Sequence, residues 1–582
     1  MNKMRAVFLV WIISLLAAPA LAAPDADQAF EAIYSREWDW RTQQGLTDPA
    51  NGAVADRLPA IDAASQTARL THWDQTLRAL DAIKPDQLSP KARIDYGVYR
   101  NQIVTLANSQ RFKDYEAPFN SDSAFWSDLT YAARQPFKTL SDYHSFIAQM
   151  RGLPTYFAQA EDNMRAGLAR GFTPPRVTLV GRDQGVSVIA EARSAQETVF
   201  YKPFVQMPDW VPAAEQASLR AEALSVINDQ VIPAHIRLVK FLREDYIPNA
   251  TAALAAQDLP DGAAYYQAKI AEYTTLDLTP DQIHTIGLGE VAKIGQAMQA
   301  AMLETGFQGD MPAFLAKLRS DPQFYAKTPQ DLLDRAAWIA KQFDGKAGQW
   351  FGRLPRSRFT IVPVPDEIAP FYTAGRGGNG VYLLNTYDLP SRPLYALTAL
   401  TLHESAPGHA FQVPLALENT DQPAFRRQVY ISAFGEGWAL YCEKLGVEMG
   451  MYPTAYDRFG MLSYQMWRAA RLVVDTGIHA KGWSRAKAIA YLADHTALSD
   501  REVQTEIDRY ISWPGQALAY YLGAMSIENS RARAQAALGV RFNIRAFHDT
   551  VLALGSVPLP VLEAQIDLFI ANGGKGPYPD EE

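Results

Sequence analysis

The chain has 582 residues, of which 48% are hydrophobic and 11% aromatic, so a large buried core is available without covalent staples. It carries 55 Lys+Arg against 63 Asp+Glu, a formal net charge of −8, with no long basic run, which argues against nucleic acid as a partner. One cysteine, Cys442, excludes an intrachain disulfide and any multi-cysteine metal site.

In chain order, Lys3 and Arg5 precede an apolar run, Ala6–Leu16, and Ala20-Leu21-Ala22 is a small-x-small site. This pattern predicts a cleavable secretory signal peptide over residues 1–22 and a periplasmic or secreted protein. The run is too short for a permanent anchor, and no later stretch is apolar enough to span a bilayer. From residue 23 onward the dominant signal is helical period, with capping boxes at Thr279…Gln282 and Ser499…Glu502. The expectation is a mainly α protein: one large helical body around a cleft, with a small β-sheet or hairpin near the site. A provisional division separates a helical region over residues 23–258 from a catalytic region over residues 259–582.

Two β-rich stretches interrupt the helices, Arg358–Val364 and Gly380–Asn385. Between them, Gly375 to Gly380 spells a dinucleotide-binding glycine pattern, but it leads into a strand instead of opening a helix, so it reads as a hairpin loop. Val381–Asn385, containing Tyr382, is the candidate edge strand for pairing with an extended peptide.

The most informative stretch follows: His403-Glu404-Ser405-Ala406-Pro407-Gly408-His409, with Gly435-Glu436-Gly437-Trp438 further on. Two histidines and a later glutamate are the ligand set of a catalytic zinc, one per chain, and Glu404 is a carboxylate able to activate water. The histidines stand six apart. On an unbroken helix they would diverge by roughly 120°, too far to share an ion about 2 Å from each nitrogen. Pro407 lacks the N–H that would continue the helix, and Gly408 tolerates unusual dihedrals, so a helix from about Leu394 should end or bulge at Ala406–Gly408. Glu436 would sit on a second helix, Ala433–Val447.

A third helix carries Tyr464, Arg468, Arg471, Asp475 and His479 at steps of three or four, which makes one polar stripe among apolar neighbours. Near the C-terminus Arg509, Tyr510, Gln516, Tyr520 and Tyr521 gather a guanidinium, phenols and an amide. Peptide hydrolysis needs a donor to the developing oxyanion, for which His479 and Tyr510 are the candidates, with Tyr520 and Tyr521 behind. Trimming of C-termini would also need an arginine for the terminal carboxylate, from among Arg468, Arg471 and Arg509.

The chain resembles the bacterial domain-of-unknown-function family 885, whose members resemble helical zinc carboxypeptidases and oligopeptidases with a His-Glu-x-x-Pro-Gly-His motif. The matching segments are Leu259–Gly262 with Tyr265 or Tyr266, His284–Val291, His403–Gln412, Glu436–Tyr441, Arg468–Trp483 and Arg509–Gly523. The resemblance implies zinc ligation by His403, His409 and Glu436, with Glu404 as general base and a peptide as substrate. Many relatives carry a second histidine directly after the motif, where this chain has Ala410. The same metal chemistry would serve another amide or an ester, and a helical binding protein without catalysis is the alternative from a different class.

Overall fold

The computed structural model describes residues 25–49, 52–366 and 368–578. The expected signal peptide lies outside these residues. Helices dominate, and the described strands form one three-stranded sheet. Both expected capping boxes are present: Thr279 and Gln282 exchange hydrogen bonds at one helix start, Ser499 and Glu502 at another. No described helix is long and apolar enough to cross a membrane.

The hydrophobic interior falls into two clusters that do not divide at residue 258. One runs from Phe119 to Ala250. The other joins N-terminal residues from Phe30 to Ala107 with residues from Ala256 to Phe569. The first helices therefore complete the core of the C-terminal portion.

At the centre of that second cluster lies the motif helix, Leu394–Glu404, buried at every residue from Tyr395 onward. A helix apolar all round has no solvent face and must be surrounded. The stripe helix, Ala455–Lys481, and the ligand helix, Ser432–Glu448, pack against it, and the flanking helix, Ala519–Leu538, packs on the ligand helix. The last crossing is close because Gly523 lies on Gly437 and the Ala433 carbonyl; a Cβ on Gly523 would come within 1.9 Å of that oxygen. This contact brings the start of the flanking helix, with Tyr520, beside the motif helix.

The sheet order is β1 (Thr360–Pro363), β3 (Val381–Leu384), β2 (Gly375–Gly378), with β1 parallel and β2 antiparallel to β3. Two expectations are corrected. Val381–Leu384 is the central strand, not an edge, and its Tyr382 is fully buried. The glycine run is itself a strand up to Gly378, and only Asn379-Gly380 forms the turn, with Gly380 at φ 79°. Glycine has no side chain to announce a strand, so β2 is specified by its partners: the ladder to β3 on one side and the end of the motif helix on the other.

Candidate metal centre

The motif helix stops at Glu404 and a new helix, His409–Glu418, begins five residues later. Between them Ser405 (φ −97°, ψ −121°) and Gly408 (φ −74°, ψ −131°) turn the chain, and the Ala406–Pro407 peptide is cis. The Gly408 N–H donates to the Leu402 carbonyl at 3.0 Å, which folds the segment back onto the helix it has just left. A Cβ on Gly408 would lie 1.8 Å from the His403 carbonyl oxygen, so only glycine permits this return.

The bend brings His409 round to His403. Their rings are 5.0 Å apart at 84°, and Oε2 of Glu436 lies 3.5 Å from Nε2 of His403 and 3.3 Å from Nε2 of His409. All three ligand atoms are within 4.8 Å of one another. Bonds of about 2.1 Å at the tetrahedral angle space donors roughly 3.4 Å apart, so the glutamate separations match shared coordination of a small ion. The side chains are 2%, 8% and 14% exposed for His403, His409 and Glu436.

Charge favours a cation there. Burial opposes a charge on His403, yet Glu436, Glu443 and Glu404 outweigh it and hold the ring's pKa up to about 10. Burial likewise opposes charge on Glu436, but the two histidines hold its carboxyl well below the usual range. Arg468 approaches Glu443 at 3.7 Å and offsets its charge, which leaves Glu404 and Glu436 as the carboxylates beside the two imidazoles. Two negative charges around two imidazoles fit a divalent ion.

Glu404 is held in place from the sheet. Its Oε2 accepts the Gly377 N–H at 2.6 Å, and a Cβ on Gly377 would lie 1.7 Å from the Glu404 carbonyl oxygen. Behind the trio, Nδ1 of His403 donates to Oε1 of the fully buried Glu443 at 2.8 Å, which makes Nε2 the nitrogen free to ligate. Tyr430 donates to Oε1 of Glu436 at 3.1 Å while half its ring stays exposed. Sequence reasoning missed both residues. Glu443 had a usable signal, since it stands seven after Glu436 and so on the same helix face; Tyr430, in the loop before the ligand helix, had none.

A family model described as "Bacterial protein of unknown function (DUF885)" matches residues 39–566. The chain belongs to that family. Two crystal or solved structures share the fold of this DUF885 chain. The putative lipoprotein from Colwellia psychrerythraea is 26% identical at a TM-score of 0.84, covering 94% of this chain and 98% of its own. A putative lipoprotein of unknown function from Shewanella oneidensis is 18% identical at a TM-score of 0.67, covering 93% and 99%. No curated protein matches.

The remaining expected site residues divide sharply. Tyr520 lies beside the trio, its ring nearly parallel to His403 at 17° and 6.4 Å, and its hydroxyl accepts from Arg509 at 3.2 Å. His479 does not reach the centre: Nδ1 accepts the Ala256 N–H and Nε2 donates to the Tyr510 carbonyl, so both nitrogens are spent on main chain. Burial pushes its pKa down to about 4, which keeps it neutral. Tyr510 is a buried hub whose hydroxyl accepts from Trp467 Nε1 and Arg471 Nε, each at 2.8 Å. Arg471 also pairs with Glu506 at 2.8 Å, and Arg468 lies behind Glu443. Tyr521 turns to the far face and donates to Glu290 at 2.7 Å. Tyr382 is interior to the sheet, under Gly375. His479, Tyr510, Tyr521 and Arg471 are therefore held in buried networks, and Tyr382 and Arg468 are buried in the sheet and behind Glu443, a correction that follows from burial: side chains on nearly all-buried elements meet one another instead of the site.

Proposed function

We propose that this chain is a metal-dependent hydrolase, zinc by preference, that cleaves peptide bonds in short peptides. The observation that carries the reading is the convergence of His403 Nε2, His409 Nε2 and Glu436 Oε2 with Glu404 fixed beside them. A zinc ion held by that trio would supply Lewis acidity, both to acidify a water and to polarise a carbonyl. Glu404, with Oε2 tied to Gly377, presents Oε1 to take the proton from the attacking water and to return it to the leaving amine. Tyr520 accepts from Arg509 and so keeps its own proton for the developing oxyanion, in the place first expected of His479 or Tyr510. Glu443 and Tyr430 orient His403 and Glu436. The burial of the trio, whose side chains are at most 14% exposed, favours short, extended peptides over folded proteins. A location outside the cytoplasm is supported by the basic and apolar N-terminal pattern and by the description of the structural neighbours as putative lipoproteins.

The experiment is metal analysis by mass spectrometry on the purified protein beside His409→Ala and Glu404→Gln, followed by digestion of a mixed short-peptide pool. The expected result is about one zinc per chain, lost in His409→Ala and kept in Glu404→Gln, with peptide cleavage lost in both. No bound metal after zinc is supplied, or cleavage that survives Glu404→Gln, overturns the reading.

A further inference from the structure

Beside the metal centre two buried guanidinia keep donor groups without partners among the described residues. Arg471 and Arg509 share one carboxylate, Glu506, at 2.8 Å and 3.7 Å. Arg509 spends Nη2 on two neutral acceptors, Gln516 and the Tyr520 hydroxyl, and its buried Nε has no partner; the buried Nη1 of Arg471 has none either. Arg376, one residue before the glycine that holds Glu404, adds a third guanidinium. It meets an acid only at the limit of an ion pair, Asp122 at 4.0 Å, and its side chain is 60% exposed. Asp122 follows Ser121, whose hydroxyl bonds that of Ser512 at 2.7 Å, three residues after Arg509 on the same helix, so one loop joins the Arg376 and Arg509 segments. Arg471 and Arg509 thus draw on Glu506 and Arg376 on Asp122, while the next acid, Glu404, has Oε2 held by the Gly377 N–H.

A buried guanidinium with unmade hydrogen bonds carries a desolvation cost that an anion would relieve. The planar fork suits a carboxylate, which can take two N–H groups at once. Position narrows the choice. Arg509 touches Tyr520, which lies on His403, and Arg376 adjoins the residue that holds Glu404, so an anion between them stands beside the scissile position. One extended residue spans at most about 3.6 Å, so a peptide cut near its C-terminus carries its terminal carboxylate close to the scissile bond.

We propose that Arg376 and Arg509 form a carboxylate-binding subsite that selects the C-terminus of a short peptide, which makes the enzyme a C-terminal exopeptidase. This rests on the hydrolase reading of the His403, His409 and Glu436 centre. Arg376 was not singled out by sequence; of the arginines that were, only Arg509 is placed to take part.

The test uses the full zinc-supplied chain carrying Glu404→Gln, in which substrate is held without turnover, and calorimetric titration with three acetylated tripeptides. These are Ala-Ala-Phe with a free carboxylate, the same peptide as its amide, and Ala-Ala-Glu amide, whose side-chain carboxylate tells an acidic residue from a chain terminus. The expected result is that the free acid binds about 10- to 100-fold tighter than its amide, and that adding Arg376→Gln, at an exposed position, or Arg509→Gln removes most of that preference. Tight binding of the Ala-Ala-Glu amide would keep the subsite but assign it to acidic side chains. Equal affinity for acid and amide, or a preference that survives Arg376→Gln, overturns the proposal. Hydrolysis by the unsubstituted protein, read by mass spectrometry, separates the two levels. Cleavage of acid and amide alike leaves the hydrolase standing and sinks the subsite; acid-selective binding with no cleavage does the reverse.

Discussion

Glu443 accepts the Nδ1 proton of His403 at 2.8 Å from a position that is wholly shielded from solvent, two helical turns beyond Glu436 on the same helix. One helix therefore supplies both a candidate ligand, Glu436, and the carboxylate that orients another, His403. Substituting such a partner typically costs 10- to 100-fold in metal affinity. Glu443→Gln should accordingly weaken zinc binding by about that factor in a chelator competition, while saturating zinc restores much of the hydrolysis. Unchanged affinity would show that the contact does not tune the site.

Gly377 places no side chain against the motif helix because there is no room for one. Gly377→Ala must push β2 away from Glu404 and break the 2.6 Å hydrogen bond that aims the carboxylate. The expected outcome is a fall in kcat of about 100-fold with zinc content still near one per chain, since small displacements of a catalytic group cost this much. Full activity in the alanine variant would remove Gly377 from the account.

Tyr520 and Tyr510 give opposite expectations although both are buried phenols hydrogen-bonded to arginine. Tyr520→Phe should lower kcat by about 10²-fold, as loss of an oxyanion donor does, with little change in thermal stability. Tyr510→Phe strands Trp467 Nε1 and Arg471 Nε, and should cost about 1–3 kcal/mol of stability while sparing kcat. Denaturant titration and steady-state kinetics on the two variants check the contrast.

Acid should destabilise the metal-free protein from pH 6.5 downward. Burial lowers the pKa of His479 and His235 to about 4 and that of His548 to about 3, whereas each titrates near 6.5 when unfolded. In this window the unfolded chain takes up three protons that the folded chain refuses, so stability falls as pH falls. Asp475 works the other way: burial raises it to about 7, so the folded state holds a proton that the unfolded state has lost above pH 4. His403, held up to about 10, is protonated in both states and drops out. The net uptake of about two protons predicts a loss of roughly 2–3 kcal/mol per pH unit near pH 5.5, measurable by urea unfolding. A midpoint that does not move between pH 6.5 and 5 would contradict this.

How much was legible in the chain depends on how local the determining physics is. The helical class, the two capping boxes and the break between the histidines follow from residues within a few positions of one another, since Pro407 lacks the N–H that would continue the helix and Gly408 admits the dihedrals of the turn. The spacing of Glu443 after Glu436 is equally local, seven residues along one helix. The polar stripe of the helix Ala455–Lys481 was recognised as a stripe, but not what it faces. Burial made its members partners for other buried groups, so His479 binds two stretches of main chain and Arg471 a tyrosine and a glutamate.

By itself, then, the sequence determined that residues 403–409 must bend, that two histidines and a glutamate were available, and that helices would carry them, because backbone sterics and periodicity act over a few residues. Only the tertiary structure decided that β3 is central, that the glycine strand steadies Glu404, that Tyr520 and not Tyr510 stands by His403, and that Arg376 meets Asp122. Each of those contacts joins segments far apart in the chain, and which buried polar group meets which partner is set by how whole helices pack.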